Sequence, residues 1–410
     1  MYGVVDMKVV ILNTSDSNGG AAVVSFRLMR ALCDAGADAR MLVVDRRSGD
    51  ERVAVAGTPE QYKWAFYTER LKIFMRNGFS RDNLFKVSTA CCGVDVLSHE
   101  WVKRADVVCI NWINQGMMSL RDVERLCKMG KKVVWTMHDM WCCTGICHHA
   151  YDCGGYRQEC GRCPFLGSRS KRDLSHKVWK RKKRIFDESA IHFVPVSNWL
   201  AQQCRESSLL RDKPLAVIPN AVPVERFDWH RKGDLSKKVI AMGAARLDDP
   251  VKGFGLMVEA VNKMADKHPD NAAGVELLLF GNIRDESLLS GIRLPYRWIG
   301  AVPPERVPEL YRQCDVVVSS SHFETLPTTL VEGQAAGCLA VAFDHGGQPD
   351  IISHLHNGYL AVYPDASDLA AGLLWAVSQS QDREMLHREV AGRFSGEAVA
   401  QRYLSLLESL

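Results

Sequence analysis

Glu324 and Glu332, two glutamates eight positions apart, could together bind the hydroxyl groups of a ligand. The apolar, β-branched run Val316–Val318 precedes them and is typical of a buried parallel strand. Ligands bind at the carboxyl ends of strands in doubly wound sheets, so we expect Glu324 in a loop facing a cleft. Thr328 and Thr329 are predicted to cap the helix that contains Glu332. The alternative is that both glutamates are surface residues of an ordinary loop and helix.

Two cations, Arg246 and Lys252, follow a second predicted strand within residues 239–260. An arginine can bind phosphate oxygens in bidentate fashion, and a lysine adds a mobile point charge, so the pair suits a diphosphate. The alternative is a solvated loop of mixed charge, since Asp248 and Asp249 lie between them.

Two pairs of adjacent glycines mark other loops that follow apolar runs. Gly346 and Gly347 come after a run that ends at Phe343, and Gly19 and Gly20 come after the predicted strand Met7–Leu12. Adjacent glycines let backbone amides approach an anion closely, so both pairs are donor-loop candidates. Gly19 and Gly20 are not part of a GxGxxG pattern, which disfavours a dinucleotide-binding dehydrogenase.

The segment Ser319–Phe343 resembles the donor-sugar motif of glycosyltransferase family 4, the retaining nucleotide-sugar enzymes of GT-B fold. The resemblance implies that Glu324 touches hydroxyls of the donor sugar and that Glu332 holds the ribose. It also implies that Arg246 and Lys252 stabilise the leaving diphosphate of a UDP- or GDP-linked donor. Leu326 and Thr328 belong to the same donor loop, although the commoner family loop has more glycine in this region.

The first half of the chain carries its candidate residues around the segment WTMHDMW. His138 is predicted to end a strand, where the resemblance implies a histidine that hydrogen-bonds the donor sugar near the reacting carbon. Asp139 either orients this histidine or caps the following turn. Trp112 and Asn114 also follow a strand and are predicted acceptor contacts, with core packing of the tryptophan as the alternative.

The reaction predicted from these residues needs neither a metal nor a protein nucleophile. The sequence has no DxD spacing for a metal-bound diphosphate in this region and no evident nucleophile and base pair. The leaving group would therefore be stabilised by cations and backbone amides, while the acceptor hydroxyl attacks from the same face. The resemblance implies that the anomeric configuration is retained.

The alternation of strands and helices along 410 residues predicts an α/β protein of GT-B fold. Two Rossmann-like domains with parallel sheets would face each other across a cleft. The expected boundaries are an acceptor-side domain over 1–222, a donor domain over 236–392, and a final helix over 393–410 that packs back on the first domain. Leu215–Pro219 and Trp298–Ala301 are among the predicted strands.

A cysteine-rich insertion, residues 141–166, interrupts the first domain. It contains Cys147, Cys153, Cys160 and Cys163 in the spacing C-x5-C-x6-C-x2-C. Four cysteines this close in a chain expected in the cytoplasm favour a structural zinc site, with unligated or redox-active thiols as the alternative. A similar insertion occurs in a branch of the family associated with colanic-acid and capsular polysaccharide assembly.

Charge is unevenly distributed, with 35 Lys and Arg against 25 Asp and Glu in residues 1–230, and 17 against 23 in the rest. Much of the excess lies in residues 169–184, which include Trp179 and Lys182. This basic stretch predicts contact with an anionic membrane surface, with nucleic acid or a solvated helix face as alternatives. No apolar run approaches the roughly 18 residues that span a bilayer, and no signal peptide is evident, so we expect a peripheral protein at the cytoplasmic face.

The sequence therefore predicts a retaining glycosyltransferase that adds a sugar to a saccharide, expected to be lipid-linked, during exopolysaccharide, capsule or lipopolysaccharide synthesis. We expect no cofactor for catalysis and no nucleic-acid partner. Two alternatives remain: a non-catalytic nucleotide-sugar-binding scaffold of a polysaccharide assembly complex, and a nucleotide-dependent oxidoreductase. A scaffold would bind a nucleotide sugar without turning it over, which distinguishes it from the transferase. An oxidoreductase would change the absorbance of a reduced nicotinamide, which the transferase would not.

Overall fold

The computed structural model describes residues 7–168 and 170–410. The described chain contains two six-stranded sheets in which all neighbouring strands are parallel, so the predicted α/β class is confirmed. It divides into two compact units. The first unit ends at Ala221 and also includes Val399–Leu410, and the second is Val222–Ala398.

The first unit contains a sheet of strand order β3-β2-β1-β4-β5-β6. Its strands are β1 (Lys8–Leu12), β2 (Asp38–Val43), β3 (Val53–Val55), β4 (Val107–Ile110), β5 (Lys132–Met137) and β6 (Ile191–Pro195). Its helices are α1 (Gly20–Asp34), α2 (Pro59–Arg76), α3 (Glu100–Arg104), α4 (Leu120–Cys127), α5 (Leu174–Asp187) and α6 (Asn198–Glu206). The central strand β1 is buried from Val9 to Leu12, as expected for a parallel strand covered on both faces.

The second unit contains a sheet of strand order β12-β11-β10-β7-β8-β9. Its strands are β7 (Lys238–Arg246), β8 (Val275–Asn282), β9 (Tyr296–Trp298), β10 (Val316–Ser319), β11 (Leu339–Phe343) and β12 (Gly358–Ala361). Its helices are α7 (Phe254–Lys267), α8 (Pro269–Ala272), α9 (Val307–Tyr311), α10 (Thr328–Ala335), α11 (Ala366–Ser378) and α12 (Arg383–Phe394), and α13 (Gly396–Ser409) leads back into the first unit. None of the described helices combines the length and the apolar character needed to cross a membrane.

Helix α13 completes the core of the first unit. Val399, Tyr403 and Leu407 pack in one apolar cluster with residues of β1, β2 and α1. The hydroxyls of Tyr403 and Thr136 lie 2.9 Å apart in the buried interior, so the one polar group of this tyrosine has a partner.

Two strand predictions differ from the structure. Leu215–Pro219 is not a strand, because only Leu215 forms an isolated bridge, with Phe193 of β6, and proline at 219 cannot donate to a ladder. The strand predicted at Trp298–Ala301 lies earlier, at β9. Apolar runs of this length locate a strand only to within a few residues.

Candidate functional site

Lys252 and Glu324 form an ion pair in the second unit. Lys252 Nζ lies 2.5 Å from Glu324 Oε1, and Ser321 Oγ donates to the same oxygen over 3.1 Å. Burial disfavours the charged amine, but the Glu324 carboxylate outweighs this and raises the pKa of Lys252. The two residues follow β7 and β10, which are neighbouring parallel strands, so the predicted phosphate and sugar contacts lie at one edge of the sheet.

Arg246, at the end of β7, lies between two carboxylates of its own loop. Its guanidinium is 3.3 Å from Asp248 Oδ1 and 3.3 Å from Asp249 Oδ2. Its Nε nevertheless has no aligned hydrogen-bond acceptor among the described residues. Because the guanidinium is partly exposed, these contacts can be exchanged for phosphate oxygens at low cost.

Glycines permit the close packing of the loops beside this ion pair. A Cβ at Gly347 would lie 1.9 Å from the carbonyl oxygen of Thr325, and one at Gly346, where φ is +64°, would lie 2.6 Å from that of Glu324. The Gly347 N–H already donates to the Glu324 carbonyl over 2.9 Å. The observed role of these two glycines is therefore to hold the Glu324 loop in place, while donor contact remains a prediction.

Helix α10 begins at Thr328 and has no side-chain cap. Its N-cap residue is Pro327, so the prediction that Thr328 and Thr329 cap this helix is wrong. Proline ahead of the helix provides no side-chain acceptor. The Leu330 N–H donates to the Pro327 carbonyl over 3.1 Å, so the amides of Thr328 and Thr329 are the ones left for another partner. Leu326 is buried beside the helix start and Glu332 is mostly buried inside the helix.

Gly19 and Gly20 open helix α1 in the first unit. Gly19 has φ +95° and no side chain caps the helix. A Cβ at either glycine would meet no atom within 4 Å. The start of this 15-residue helix is therefore open to a ligand, in keeping with the predicted donor contact.

His138 follows β5, is partly buried, and contacts a polar network that includes the buried residues Asn111 and Ser25. Its Nε2 donates to Asn111 Oδ1 over 2.8 Å, and the same oxygen accepts from Ser25 Oγ over 3.0 Å. Burial lowers the pKa of His138 to about 4, with a smaller opposing effect of the Asp139 charge. The imidazole is therefore neutral at physiological pH and its orientation is fixed by Asn111.

Asp139 caps the turn that follows and binds two aromatic residues. Its Oδ1 accepts from Trp141 N over 2.7 Å, and its Oδ2 accepts from Trp112 Nε1 over 3.0 Å and lies 2.7 Å from His148 Nδ1. Burial would raise the pKa of Asp139, but His148 and the Trp141 amide outweigh it and lower the pKa to about 2. Of the two predicted roles for this aspartate, the cap of the turn is observed.

Two buried polar atoms near Trp112 have no partner among the described residues. They are Asn114 Oδ1 and His148 Nε2. The Trp112 and His148 rings lie 5.5 Å apart, tilted by 31°. An unsatisfied buried acceptor or donor costs free energy, so these atoms are suited to a ligand hydroxyl or an ordered water.

The structure gives no support for the predicted zinc site. Cys147, Cys153, Cys160 and Cys163 line one small cavity of about 20 Å³. Even so, no group of three or more His, Cys, Asp or Glu side chains within 7–168 and 170–410 is arranged to hold a metal ion. Cys160 Sγ instead accepts from Gly145 N over 3.1 Å. Burial raises the pKa of Cys160 to about 11 and that of Cys163 to about 12, so both are neutral thiols near pH 7.

The basic stretch 169–184 has a buried face that the sequence did not indicate. Arg169 lies outside the described residues, and the rest includes α5. Trp179 is buried and donates from Nε1 to Ser208 Oγ over 3.1 Å. Lys182 is fully buried, and its Nζ donates to the carbonyls of Trp141 and Thr144 over 2.6 and 3.0 Å. Expecting these two residues on a membrane-facing surface was therefore wrong, because α5 needs an internal face to pack.

Sequence reasoning missed three polar residues of the first unit: Asn13, Ser25 and Asn111. Two of them carried a usable signal. Asn13 and Asn111 each come directly after a buried strand, β1 and β4, which are neighbours in the sheet. Ser25 has no such signal, because it lies inside a helix.

Two family models match the chain. The model described as Glycosyltransferase Family 4 matches residues 18–226, and the model described as Glycosyl transferases group 1 matches residues 225–392. Together they span residues 18–392, which include the predicted site residues from Gly19 to Gly347.

Curated relatives are similar over part of their length. The phosphatidylinositol N-acetylglucosaminyltransferase GPI3 subunit of Saccharomyces cerevisiae is 27% identical over 254 residues, 57% of this chain and 54% of the relative. The putative colanic acid biosynthesis glycosyl transferase WcaC of Escherichia coli is 27% identical over 200 residues, 44% of this chain and 46% of the relative. The chain thus spans about half the length of these relatives.

Solved structures share the fold. A glycosyltransferase from Rickettsia africae has a TM-score of 0.65 at 15% identity, covering 98% of both chains. HepE from Anabaena, in complex with UDP and glucose, has a TM-score of 0.61 at 14% identity, covering 98% of this chain and 100% of its own. These similarities confirm the predicted GT-B fold class.

Proposed function

We propose that this chain, which belongs to glycosyltransferase family 4, transfers a sugar from a nucleotide-diphosphate sugar to a saccharide acceptor with retention of anomeric configuration. The observation that carries the proposal is the exchangeable ion pair of Lys252 and Glu324 beside Arg246 on neighbouring strand ends. Cations that pair only with partly exposed carboxylates can turn to a diphosphate when it binds.

The proposed chemistry assigns a role to each group. Arg246, Lys252 and the uncapped first-turn amides of α10 bind the diphosphate and stabilise the charge that develops as the bond to the sugar breaks. The acceptor hydroxyl attacks from the side that the diphosphate leaves. The departing phosphate oxygen takes the hydroxyl proton, so no side-chain base and no metal is required.

Sugar recognition is proposed to use carboxylates and a neutral histidine. Glu324 accepts hydrogen bonds from donor-sugar hydroxyls and Glu332 from the ribose. His138, held neutral by burial and oriented by Asn111, hydrogen-bonds the donor sugar near the reacting carbon. Trp112, Asn114 and Asp139 contact the acceptor.

The donor and acceptor classes rest on the relatives. HepE is described in complex with UDP and glucose, which supports a UDP-linked donor, with GDP-linked sugars as the other class to test. The yeast relative is named for phosphatidylinositol and the E. coli relative for colanic acid biosynthesis. We therefore propose a lipid-linked acceptor at the cytoplasmic face of a membrane, in the synthesis of an exopolysaccharide, capsule or lipopolysaccharide.

A donor screen tests this function. The purified chain is incubated with UDP- and GDP-sugars, lipid extract and EDTA, and released nucleoside diphosphate is measured. We expect release with one donor and an α-linked product from an α-linked donor by NMR. Arg246→Ala should lower turnover by about 10²-fold, as is typical when an enzyme loses one preorganised hydrogen-bond donor to the transition state. Arg293→Ala, which breaks an exposed ion pair with Asp266, is the control and should leave turnover unchanged. If the chain bound a nucleotide sugar but released no nucleoside diphosphate in any combination, it would be the non-catalytic scaffold. A product with the opposite anomeric configuration to the donor would exclude the retaining mechanism.

A further inference from the structure

Helix α2 exposes an apolar stripe to solvent. Trp64, Tyr67, Leu71 and Met75 recur at intervals of three and four residues and are 64%, 66%, 55% and 49% exposed. The opposite side of the helix is buried through Ala65, Glu69, Arg70 and Ile73. An amphipathic helix normally turns its apolar stripe to the core, so a second stripe facing outward needs another partner.

The exposed stripe continues into the segment that follows α2. Phe79 and Phe85 are exposed as well, so six of the fourteen large apolar side chains exposed in the described residues fall within 64–85. We call these six residues the apolar ridge. A concentration of this kind differs from the scattered exposed apolar residues that any surface carries.

Two aromatic rings of the ridge, Phe79 and Phe85, pack against neighbouring side chains. Phe79 packs edge-on against Phe74 with ring centroids 5.6 Å apart, and the Arg70 guanidinium lies 5.5 Å from the Phe85 ring centroid. Arg70 is itself fixed by a 2.7 Å ion pair with the buried carboxylate of Glu69. Exposed aromatic rings that are fixed beforehand lose little conformational entropy when they bind.

A basic cavity of about 770 Å³ lies beside the ridge, between the end of α2 and the start of α5. The cations that line it are Lys72, Arg76, Arg172, Lys177 and Arg181. None of them forms an ion pair with a carboxylate in the described ranges. The one carboxylate of the lining, Asp173, is occupied by Ser175 Oγ, His176 N and Cys163 N.

We propose that the apolar ridge and the basic cavity together form a membrane-docking surface for anionic phospholipid. The ridge enters the boundary between headgroups and acyl chains, and the cavity binds headgroup phosphates. Fixed aromatic and aliphatic side chains next to unpaired cations match such a surface in both polarity and charge. A second copy of the chain fits less well, because a symmetric contact would bring the two basic cavities together.

This inference rests on the proposed membrane-linked acceptor and names the surface that reaches it. The principal membrane contact is then α2 and not most of the basic stretch 169–184. Helix α5 contributes Lys177 and Arg181 to the cavity, whereas Lys183 and Arg184 are already paired with Asp187 and Glu124.

Vesicle sedimentation of the full chain tests the docking surface. We expect binding to phosphatidylglycerol-containing vesicles but not to pure phosphatidylcholine, with release as salt rises. Trp64→Ser with Leu71→Ser should weaken binding by about tenfold or more, because the lost apolar burial is large. Lys72→Gln with Lys177→Gln and Arg181→Gln should weaken it by about 100-fold at low salt, since each cation near the surface contributes about 1 kcal/mol.

Matched controls lie on other exposed sites. Leu235→Ser with Leu355→Ser removes two exposed apolar side chains elsewhere, and Lys237→Gln with Lys263→Gln removes two cations elsewhere. Both controls should bind vesicles like the wild type. Ridge and cavity variants that also bind like the wild type would overturn the proposal, as would equal binding to neutral vesicles. A ridge variant that turns a dimer into a monomer while vesicle binding is unchanged would assign the ridge to self-association.

Donor turnover measured on the same samples separates this inference from the proposed function. Ridge and cavity variants should bind the nucleotide-sugar donor like the wild type when no vesicle is present. A wild type that binds vesicles but releases no nucleoside diphosphate would overturn the function and support the surface. A wild type that releases nucleoside diphosphate but does not bind vesicles would overturn the proposed docking surface and leave the proposed function intact.

Discussion

The polar residues of the first unit and those of the second are held in different ways. In the first unit, His138 and Lys182 make hydrogen bonds to buried protein partners, which are Asn111 for the histidine and the carbonyls of Trp141 and Thr144 for the lysine. In the second unit, Arg246 and Lys252 pair with carboxylates that remain partly exposed. The first arrangement fixes orientation, and the second leaves charge available for exchange.

The difference predicts where each substitution acts. Removal of a buried partner leaves an unsatisfied polar group and lowers the free energy of unfolding. Removal of one member of an exposed ion pair costs little stability, so its effect should be on ligand binding and turnover. Substitutions in the two units therefore test whether stability and activity are divided in this way.

The largest effect is expected at Lys252. Lys252→Ala should lower turnover by about 10²-fold or more, because a charge that stabilises the leaving diphosphate is lost. Its free energy of unfolding should change by less than about 1 kcal/mol, as for a partly exposed pair. Steady-state kinetics and urea unfolding measure the two quantities. Lys263→Ala, on the neighbouring helix α7 and paired with Glu259, is the control and should change neither. Full activity of Lys252→Ala would contradict a role in the chemistry.

Lys182 should show the opposite behaviour. Lys182→Met keeps most of the volume but leaves the carbonyls of Trp141 and Thr144 without their donor, which should cost about 2 kcal/mol or more of stability. Lys180→Met, two residues away on the exposed side of α5, should be neutral. Equal unfolding midpoints for the two variants would contradict the buried role of Lys182.

His138 should make stability depend on pH. Its pKa is lowered by burial from 6.5 to about 4, so the unfolded chain binds a proton in this window that the folded chain does not. Stability is then full above pH 6.5 and falls by about 1–3 kcal/mol as the pH decreases towards 4. In His138→Gln this part of the pH dependence should disappear, whereas exposed His230→Gln should keep it. Parallel stability curves for wild type and His138→Gln would show that the histidine is not buried as a neutral group.

The smallest changes in stability and donor binding are expected for alanine substitutions of two glycines, one in each unit. Gly347→Ala should cost about 1 kcal/mol or more and weaken donor binding, because the new methyl group would lie 1.9 Å from the Thr325 carbonyl oxygen. Gly20→Ala adds a methyl group where no atom lies within 4 Å, so stability should be unchanged or slightly higher. Weaker donor binding by Gly20→Ala without a stability change would support a ligand at the start of α1. Unchanged donor binding would remove Gly20 from the donor site.

Sequence reasoning succeeded where chemistry is carried by local patterns. Apolar runs between polar loops located β1, β4, β5, β7 and β10, and the loops after β7 and β10 carried the charged residues that meet in the structure. It failed where the outcome depends on packing across the chain. The burial of Lys182 and the contact of Asp139 with Trp112 depend on segments tens of residues away. A helix with apolar residues on two sides, such as α2, does not reveal which side faces the core. The cysteine spacing alone could not determine whether four thiols converge on one point.

The return of the chain to the first unit at Val399 has a consequence for its biosynthesis. The second unit, Val222–Ala398, is one uninterrupted segment, and its apolar core uses residues of that segment alone. The first unit is begun earlier on the ribosome but lacks Val399, Tyr403 and Leu407 until the whole second unit has been translated. Until then, part of the apolar surface of the first unit stays uncovered. The first unit is therefore begun before the second but can complete its core only after the second has been synthesised.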